Sequence, residues 1–276
     1  MHNIRKLAFI GGGNMAAALI GGLTKHGLAS DRIAVADPDV EQLTRLGRDY
    51  GISHAPDGAG AVAGAEAVIL AVKPQQMRAV ALGLAPQLAV GRPLVISVAA
   101  GIPHAALARW FGPSIPVVRT MPNRPALDGF GATGLYAPPG VGAAHRALAE
   151  SIMAAVSATV WVEHESQMDT VTALSGSGPA YFFLFMEALE AAAHERGLPN
   201  DVAHKLTLET AFGAAQMARH SAESLAVLRE QVTSKGGTTA AALAVLDAAG
   251  LRATVAHAVA AADRRSAELA AEFGAP

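Results

Sequence analysis

The sequence predicts an α/β protein, with a doubly wound sheet in its first part and an all-helical second part. Three observations carry that expectation. Over the first half, short continuous apolar runs alternate with amphipathic stretches, and apolar runs without polar alternation are strands buried on both faces, the habit of parallel sheets. After about residue 163 the texture turns helical and stays so almost to the end. The length of 276 residues fits two domains, taken as residues 1–163 and 164–276.

Taken in order, Leu7-Ala8-Phe9-Ile10 is a first strand ending at Gly11, and Ile33-Ala34-Val35-Ala36 a second ending at Asp37. Val68-Ile69-Leu70-Ala71-Val72 ends at Lys73-Pro74, Leu94-Val95-Ile96-Ser97-Val98 ends near Gly101, and Val117-Val118 ends at Arg119. Amphipathic stretches over 39–49 and 75–88 read as helices between them. Ala158-Thr159-Val160-Trp161-Val162 is the last strand. Beyond it, Gly178-Pro179 opens a long helix that Gly197-Leu198-Pro199 stops. Asn200 or Asp201 caps the next, to about residue 220. A short helix over 221–229, a glycine loop at Lys235-Gly236-Gly237, a helix over 239–249 and a last one over 251–271 complete the chain.

Composition narrows the function. Lys+Arg is 21 and Asp+Glu 23, for a net charge of -2, which argues against a basic nucleic-acid-binding face. Cysteine is absent, so disulfides, thiol nucleophiles and Cys-ligated metals are excluded. The ten histidines are scattered without His-x-His or His-Glu-x-x-His spacing, and no metal site is expected. No apolar run reaches the length of a membrane span, and the basic start Met1-His2-Asn3-Ile4-Arg5-Lys6 meets three glycines too soon for a signal peptide. A soluble, cytoplasmic protein is expected. Hydrophobic residues make up 51% and aromatics only 5%, an apolar surplus for a monomer. The Ala-rich helices over 206–218 and 251–262 carry little charge, which suggests that they face a partner subunit.

The first strand runs into Gly11-Gly12-Gly13-Asn14-Met15-Ala16, a G-x-G-x-x-A turn that opens a helix. Gly11 permits the tight turn, Gly13 lets backbone N–H groups approach a pyrophosphate, and the small Ala16 lets the helix lie close to the sheet. The helix N-terminus turns its positive dipole end toward the phosphates. Asp37 ends the second strand about 20 residues further on, where an acid accepts hydrogen bonds from an adenosine ribose. A carboxylate there repels a 2′-phosphate and leans toward NAD over NADP; Arg45 lies too far along its helix to count as a phosphate clamp. The alternative is a tight turn without ligand, with Asp37 capping the helix at 39.

Three further strand-end segments belong to the edge where open α/β sheets bind ligands: Ala71-Val72-Lys73-Pro74, Ser97-Val98-Ala99-Ala100-Gly101, and the loop around Asn123. In the helical part, Ser175-Gly176-Ser177-Gly178-Pro179 opens a helix with small residues and hydroxyls but is not a G-x-S-x-G hydrolase turn. Val232-Thr233-Ser234-Lys235-Gly236-Gly237-Thr238-Thr239 places two glycines and four hydroxyls ahead of a helix. Such a loop offers a backbone nest for a carboxylate, where capping alone needs one hydroxyl. No Ser–His–Asp set can be assigned. Hydride transfer from a nicotinamide, in which the cofactor carries the hard step, fits a protein with so few strong acids, bases and nucleophiles in these loops.

With these segments in order, the sequence resembles the pyrroline-5-carboxylate reductase family over essentially its whole length. The last loop, running on to Leu246-Asp247 behind Ser-Gly-Ser-Gly-Pro, is its most specific part. The resemblance implies reduction of L-1-pyrroline-5-carboxylate to L-proline with NADPH or NADH, the last step of proline biosynthesis. It implies a Rossmann-type domain followed by a helical substrate-binding and dimerisation domain, in a homodimer often built into a homodecamer. It assigns the dinucleotide to Ile10, Gly11, Gly12, Gly13, Asn14, Met15, Asp37, Ala71, Val72, Lys73, Pro74, Ser97, Val98, Ala99 and Asn123. It assigns the substrate to Ser234, Gly236, Gly237, Thr238 and Thr239, with Thr239 as the catalytic group near the ring nitrogen.

Four positions depart from the family pattern: Lys235 for a usual Pro, Arg124 for Thr, Gly58 for an Asn that helps hold the cofactor, and Asp37 itself. Two alternatives remain: a reductase of a related imine or β-hydroxyacid, and a dinucleotide-binding redox sensor without turnover. The β-hydroxyacid enzymes want a lysine on the long helix, and residues 181–195 contain none.

Overall fold

The computed structural model describes residues 4–55 and 57–275. Met1-His2-Asn3, expected to lead into the first strand, lie outside the described residues. The first stretch alternates as expected: β1 (Leu7–Ile10), α1 (Asn14–Lys25), β2 (Ile33–Ala36), α2 (Val40–Tyr50), β3 (Ser53–His54), α3 (Gly58–Val62), β4 (Ala67–Leu70), α4 (Pro74–Gly91), β5 (Leu94–Ser97), α5 (His104–Phe111) and β6 (Val117–Met121). Next come β7 (Gly131–Tyr136), α6 (Ala143–Met153), β8 (Ser157–Trp161), α7 (Gln167–Val171) and a π-helical turn over Thr172–Gly176. Among the described residues one eight-stranded sheet forms, in the order β3-β2-β1-β4-β5-β6-β7-β8.

The continuous apolar runs are strands because both faces of the sheet are covered. Side chains alternate across a strand, and here each set meets a helical layer. Leu7, Phe9, Ile33, Val35 and Ile69 join one core with Leu19 and Leu23 of α1 and Ile152 of α6. Ala8, Ile10, Val68, Leu70 and Val95 join the other with Met77 and Leu84 of α4 and Trp110 of α5. β1 to β6 pair in parallel, β7 runs antiparallel to β6, and β8 is parallel to β7. The β6–β7 connection, which holds a 3-10 turn at Arg124–Asp128, is too short for a helical crossover, so the chain turns back.

Two strands lie outside the sequence expectation. β3 is two exposed residues long. β7 contains Gly131 and Gly134, whose added Cβ atoms would meet Ser157 Oγ at 2.3 Å and Val171 Cγ1 at 2.6 Å. These glycines mark close approach by β8 and α7 rather than a loop.

The remaining helices are α8 (Gly178–Glu195), α9 (Asn200–His220), α10 (Leu225–Gln231), α11 (Thr238–Ala248) and α12 (Leu251–Phe273). The chain divides into two compact units, one up to Ser177 together with the stretch from Ala261 onward, the other Gly178–Ala260. This division lies later than the compositional change near 163. α7 and the π turn pack with the sheet unit, and so does the end of α12: Ser266 Oγ donates to Asp169 Oδ1 at 2.7 Å, and Arg109 Nη2 donates to the carbonyl of Gly274 at 2.8 Å. In the second unit Ser224 caps α10 by accepting from Val227 N–H. Phe182, Phe183, Leu184 and Phe185 of α8 are all exposed on the single chain. No single helix among the described residues is long and apolar enough to cross a membrane.

Candidate active site

The strand order reverses between β1 and β4, and open α/β sheets bind ligands beyond the carboxyl ends of the strands at such a point. The register aligns Ile10 with Leu70, and Leu70 with Ser97. Three of the predicted loops therefore leave the sheet side by side. Ala71 N–H donates to Ile10 O at 2.8 Å, Val98 N–H to Leu70 O at 3.2 Å, and Gly11 N–H to Ala36 O at 2.9 Å. Ser97 is buried and its carbonyl accepts from Thr120 Oγ1, which anchors the 97–99 loop. Lys73 occupies the N-cap position of α4 without a side-chain cap, Pro74 is the first residue of that helix, and the Lys73 side chain is exposed.

The glycine turn separates into distinct requirements. Gly11 has φ +98°, and a Cβ there would lie 2.5 Å from Ala71 O. Gly12 N–H donates to Asp37 Oδ2 at 2.6 Å. Gly13, the N-cap of α1, has φ −70°, and a Cβ there would meet nothing within 4 Å. Nothing within the protein demands a glycine at 13; the space beside it is open. No side chain caps α1, so the N–H groups at its start, around Asn14 and Met15, are free to face an anion. Ala16 is fully buried against the sheet. A dinucleotide fits this arrangement: an uncapped helix start, a backbone cradle that a side chain would fill, and an acid at the end of β2.

Asp37 does not cap α2. That role belongs to Asp39, whose carboxylate accepts from Glu41 N–H and Gln42 N–H. Asp37 is instead held by Gly12 N–H on one oxygen and by Asp39 N–H, at 2.8 Å, on the other. Each oxygen keeps a second lone pair for a ligand hydroxyl. It lines a cavity of about 490 Å³ with Ile10, Asp57, Gly58 and Leu84. Asp57, which caps α3 by accepting from Gly60 N–H, was not singled out in the sequence. Only the sheet order, which puts β3 beside β2, brings it there.

Asn123 stands apart from the other predicted cofactor residues. It is buried, its Nδ2 donates to Ser175 O and its Oδ1 accepts from Ala132 N–H, both at 2.9 Å. Both ends of the amide are engaged within the protein, clamping β6, β7 and the π turn together. In that turn Ser177 N–H donates to Thr172 O, and an added Cβ on Gly176 would meet Met121 Cε at 2.7 Å. π turns recur at functional sites; the sequence showed Ser175-Gly176-Ser177 only as the opening of a helix, which here starts at Gly178.

The predicted substrate residues lie in the second unit. Gly237 is the N-cap of α11, and neither Ser234 nor Thr238 caps it. Gly236 is left-handed at φ +72°, and Gly237 N–H donates to Ser234 O at 3.0 Å, closing a turn. That bond removes one N–H from the expected nest. The free donors are the N–H groups opening α11 and the hydroxyls of Ser234, Thr238 and Thr239, which have no hydrogen-bond partner among the described residues.

His104, at the start of α5, lies half-buried in an edge-to-face contact with Tyr136, and its backbone N–H donates to Glu165 Oε1. Glu165 also pairs with the buried Arg119 guanidinium. Burial pushes the His104 imidazole below its ordinary range; Glu165 opposes that shift and Arg119 adds to it.

The pattern described as pyrroline-5-carboxylate reductase dimerisation matches residues 165–269, and that of NADP oxidoreductase, coenzyme F420-dependent, matches residues 6–101. Pyrroline-5-carboxylate reductase of Pseudomonas aeruginosa is 49% identical over 269 residues, 98% of each chain. The chain belongs to the pyrroline-5-carboxylate reductase family. A solved pyrroline-5-carboxylate reductase from Coxiella burnetii superposes with a TM-score of 0.94 at 42% identity, covering 97% of this chain and 99% of the other. The pyrroline carboxylate reductase of Plasmodium falciparum, solved with NADP bound, superposes with a TM-score of 0.85 at 28% identity over 98% and 99%. Membership in the pyrroline-5-carboxylate reductase family joins the two units, the Rossmann-type sheet and the helical dimerisation domain, in one chain.

Proposed function

We propose that the protein reduces L-1-pyrroline-5-carboxylate to L-proline with NADPH or NADH, as the last step of proline biosynthesis. The observation that carries this reading is the donor set opening α11: three hydroxyls and the helix-start N–H groups, none engaged in capping, in a chain of this family. The substrate is a small ring bearing a carboxylate and an imine, and it needs donors of that kind.

In this reading the cofactor lies along the loops 10–15, 71–74 and 97–99. The helix-start N–H groups of α1 hold the pyrophosphate and Asp37 the ribose. When bound, the reduced nicotinamide supplies the hydride accepted by the imine carbon. Ser234 and the N–H groups at the start of α11 hold the substrate carboxylate, and Lys235 adds a positive charge beside them. The turn closed by Gly236 and Gly237 keeps these donors at a fixed spacing. The Thr239 hydroxyl hydrogen-bonds the ring nitrogen, the atom that must carry a proton when the C=N bond becomes C–N–H. Thr239 orients and stabilises that nitrogen; the proton itself comes from water or from an imine already protonated.

A cytoplasmic homodimer, assembled further into decamers, is the setting this reading implies. The family match over 165–269 and the exposed phenylalanines of α8 support the self-association. The test is direct: protein, NADH or NADPH, and pyrroline-5-carboxylate are mixed, and loss of the reduced nicotinamide's absorbance is followed. Oxidation that requires the imine supports the reading. Cofactor binding without oxidation sinks it in favour of a sensor.

A further inference from the structure

We propose that Phe273 and Arg109 are positioning residues for hydride transfer. Through them the end of α12 braces the loop over residues 98–103, the surface against which the nicotinamide lies. This rests on the dinucleotide reading of the sheet unit and on no residue of the substrate loop.

That loop has little backbone support of its own. β5 ends at Ser97, and among the described residues no backbone–backbone hydrogen bond holds residues 99–102. Ala99 N–H donates to the Ser97 hydroxyl at 3.4 Å, a long bond. A segment without a ladder opens easily unless other groups pack on it. From within, Ile102 is fully buried in the core that holds Val95 and Leu107. From outside comes the end of α12. A Cβ added at Gly101 would lie 3.3 Å from Leu269 Cβ and 3.5 Å from Phe273 Cδ2, and one added at Gly274 would lie 2.8 Å from Pro103 Cδ. Gly101 is buried and left-handed at φ +71°, so the bend of the loop sits directly under those side chains.

The brace is itself fixed, before and after the residues that touch the loop. Before them, Ser266 Oγ donates to Asp169 Oδ1 and Asp263 Oδ1 accepts from Thr170 Oγ1, both at 2.7 Å, which ties α12 to α7. After them, Arg109 in the last turn of α5 donates from Nη2 to the Gly274 carbonyl at 2.8 Å, a cation at the carboxyl end of α12. Phe273 between them is half-buried and packs against the same core as Ile102. All these residues belong to the sheet unit. Ser97, Val98 and Ala99 open the loop at the strand ends assigned to the dinucleotide, so a shift at Gly101 moves the surface behind the ring. A misplacement of about 1 Å at a reacting atom can cost on the order of 10²-fold in rate.

The test uses the full chain with NADPH or NADH, whichever binds more tightly, deuterated at the transferred position. The matching fragment without the nicotinamide, 2′-phospho-ADP-ribose or ADP-ribose, serves as the control. Phe273→Ala should lower kcat about tenfold and raise the isotope effect on it. By calorimetry it should weaken the whole dinucleotide severalfold and leave the fragment unchanged. Phe273→Leu should restore most of the loss. Arg109→Ala, at an exposed position, should move the same quantities by a smaller factor, and Arg109→Lys should recover them. A residue that only holds the fold together would lower the thermal midpoint and leave these quantities alone. Parental kcat, isotope effect and dinucleotide affinity in both alanine variants overturn the brace, and so does a loss shared equally by dinucleotide and fragment. Should Phe273→Ala fail to fold, Arg109→Ala decides alone. If the parent binds the dinucleotide but does not oxidise it with the imine, the substrate reading falls and the two affinities still decide the brace. Binding of neither dinucleotide nor fragment overturns the dinucleotide reading and the brace with it.

Discussion

At Gly11, a left-handed φ of +98° and a backbone oxygen 2.5 Å from any added Cβ make glycine a requirement of the fold. At Gly13 neither condition holds, and the room is there for something outside the protein. The two positions therefore separate stability from binding. Gly11→Ala should lower the thermal midpoint, since the left-handed backbone alone costs a residue with a Cβ about 1–2 kcal/mol. Gly13→Val should leave stability within about 0.5 kcal/mol and abolish dinucleotide binding by calorimetry. The reverse pattern would contradict these assignments. Thr239→Val should lower turnover on the order of 10²–10³-fold while cofactor affinity stays nearly intact; unchanged turnover would remove Thr239 from the chemistry. The glycine turn and Asp37 were legible in the sequence because their chemistry is local: a strand, a turn, a helix, and an acid at a set distance. Asp57 and the clamp made by Asn123 were not, since their neighbours Asp37, Ala132 and Ser175 arrive through sheet order and tertiary packing.

Among the elements, the strands buried on both faces were legible as uninterrupted apolar runs, and the long helices from α8 to α12 by their glycine and proline punctuation. β7 was hidden because close packing of β8 and α7 demanded glycine where a strand usually shows β-branched residues. α5 carries a pH dependence of its own. Its His104 sits half-buried with Tyr136, and burial favours the neutral ring, with Glu165 opposing and Arg119 assisting. The unfolded chain protonates at the ordinary imidazole value of about 6.5, before the folded one. The contribution of His104 to stability is therefore fully present above that value and is lost as pH falls through the lower folded value. Urea midpoints measured across this window should decline with falling pH, and His104→Gln should flatten the decline. An equal slope in the variant would assign the effect to other groups.

On the scale of the whole molecule, the apolar surplus noticed in the composition has a location. Residues 182–185 of α8 form a run of exposed Phe, Phe, Leu and Phe, with Phe182 at 69% and Phe185 still at 45% exposure. Four consecutive residues span more than a full helical turn, so apolar surface is uncovered on more than one face of α8, although α8 also packs along α9. An apolar patch of that extent on a helix calls for a covering partner. In the proposed dimer the consequence is thermodynamic: folding of the helical unit and association of chains would be one equilibrium, and stability would have to be stated at a protein concentration. For a dimer, each tenfold dilution should remove about 1.4 kcal/mol. Thermal unfolding followed over several decades of concentration should show the midpoint falling with dilution. A midpoint independent of concentration would mean that a single chain can shelter those phenylalanines unaided.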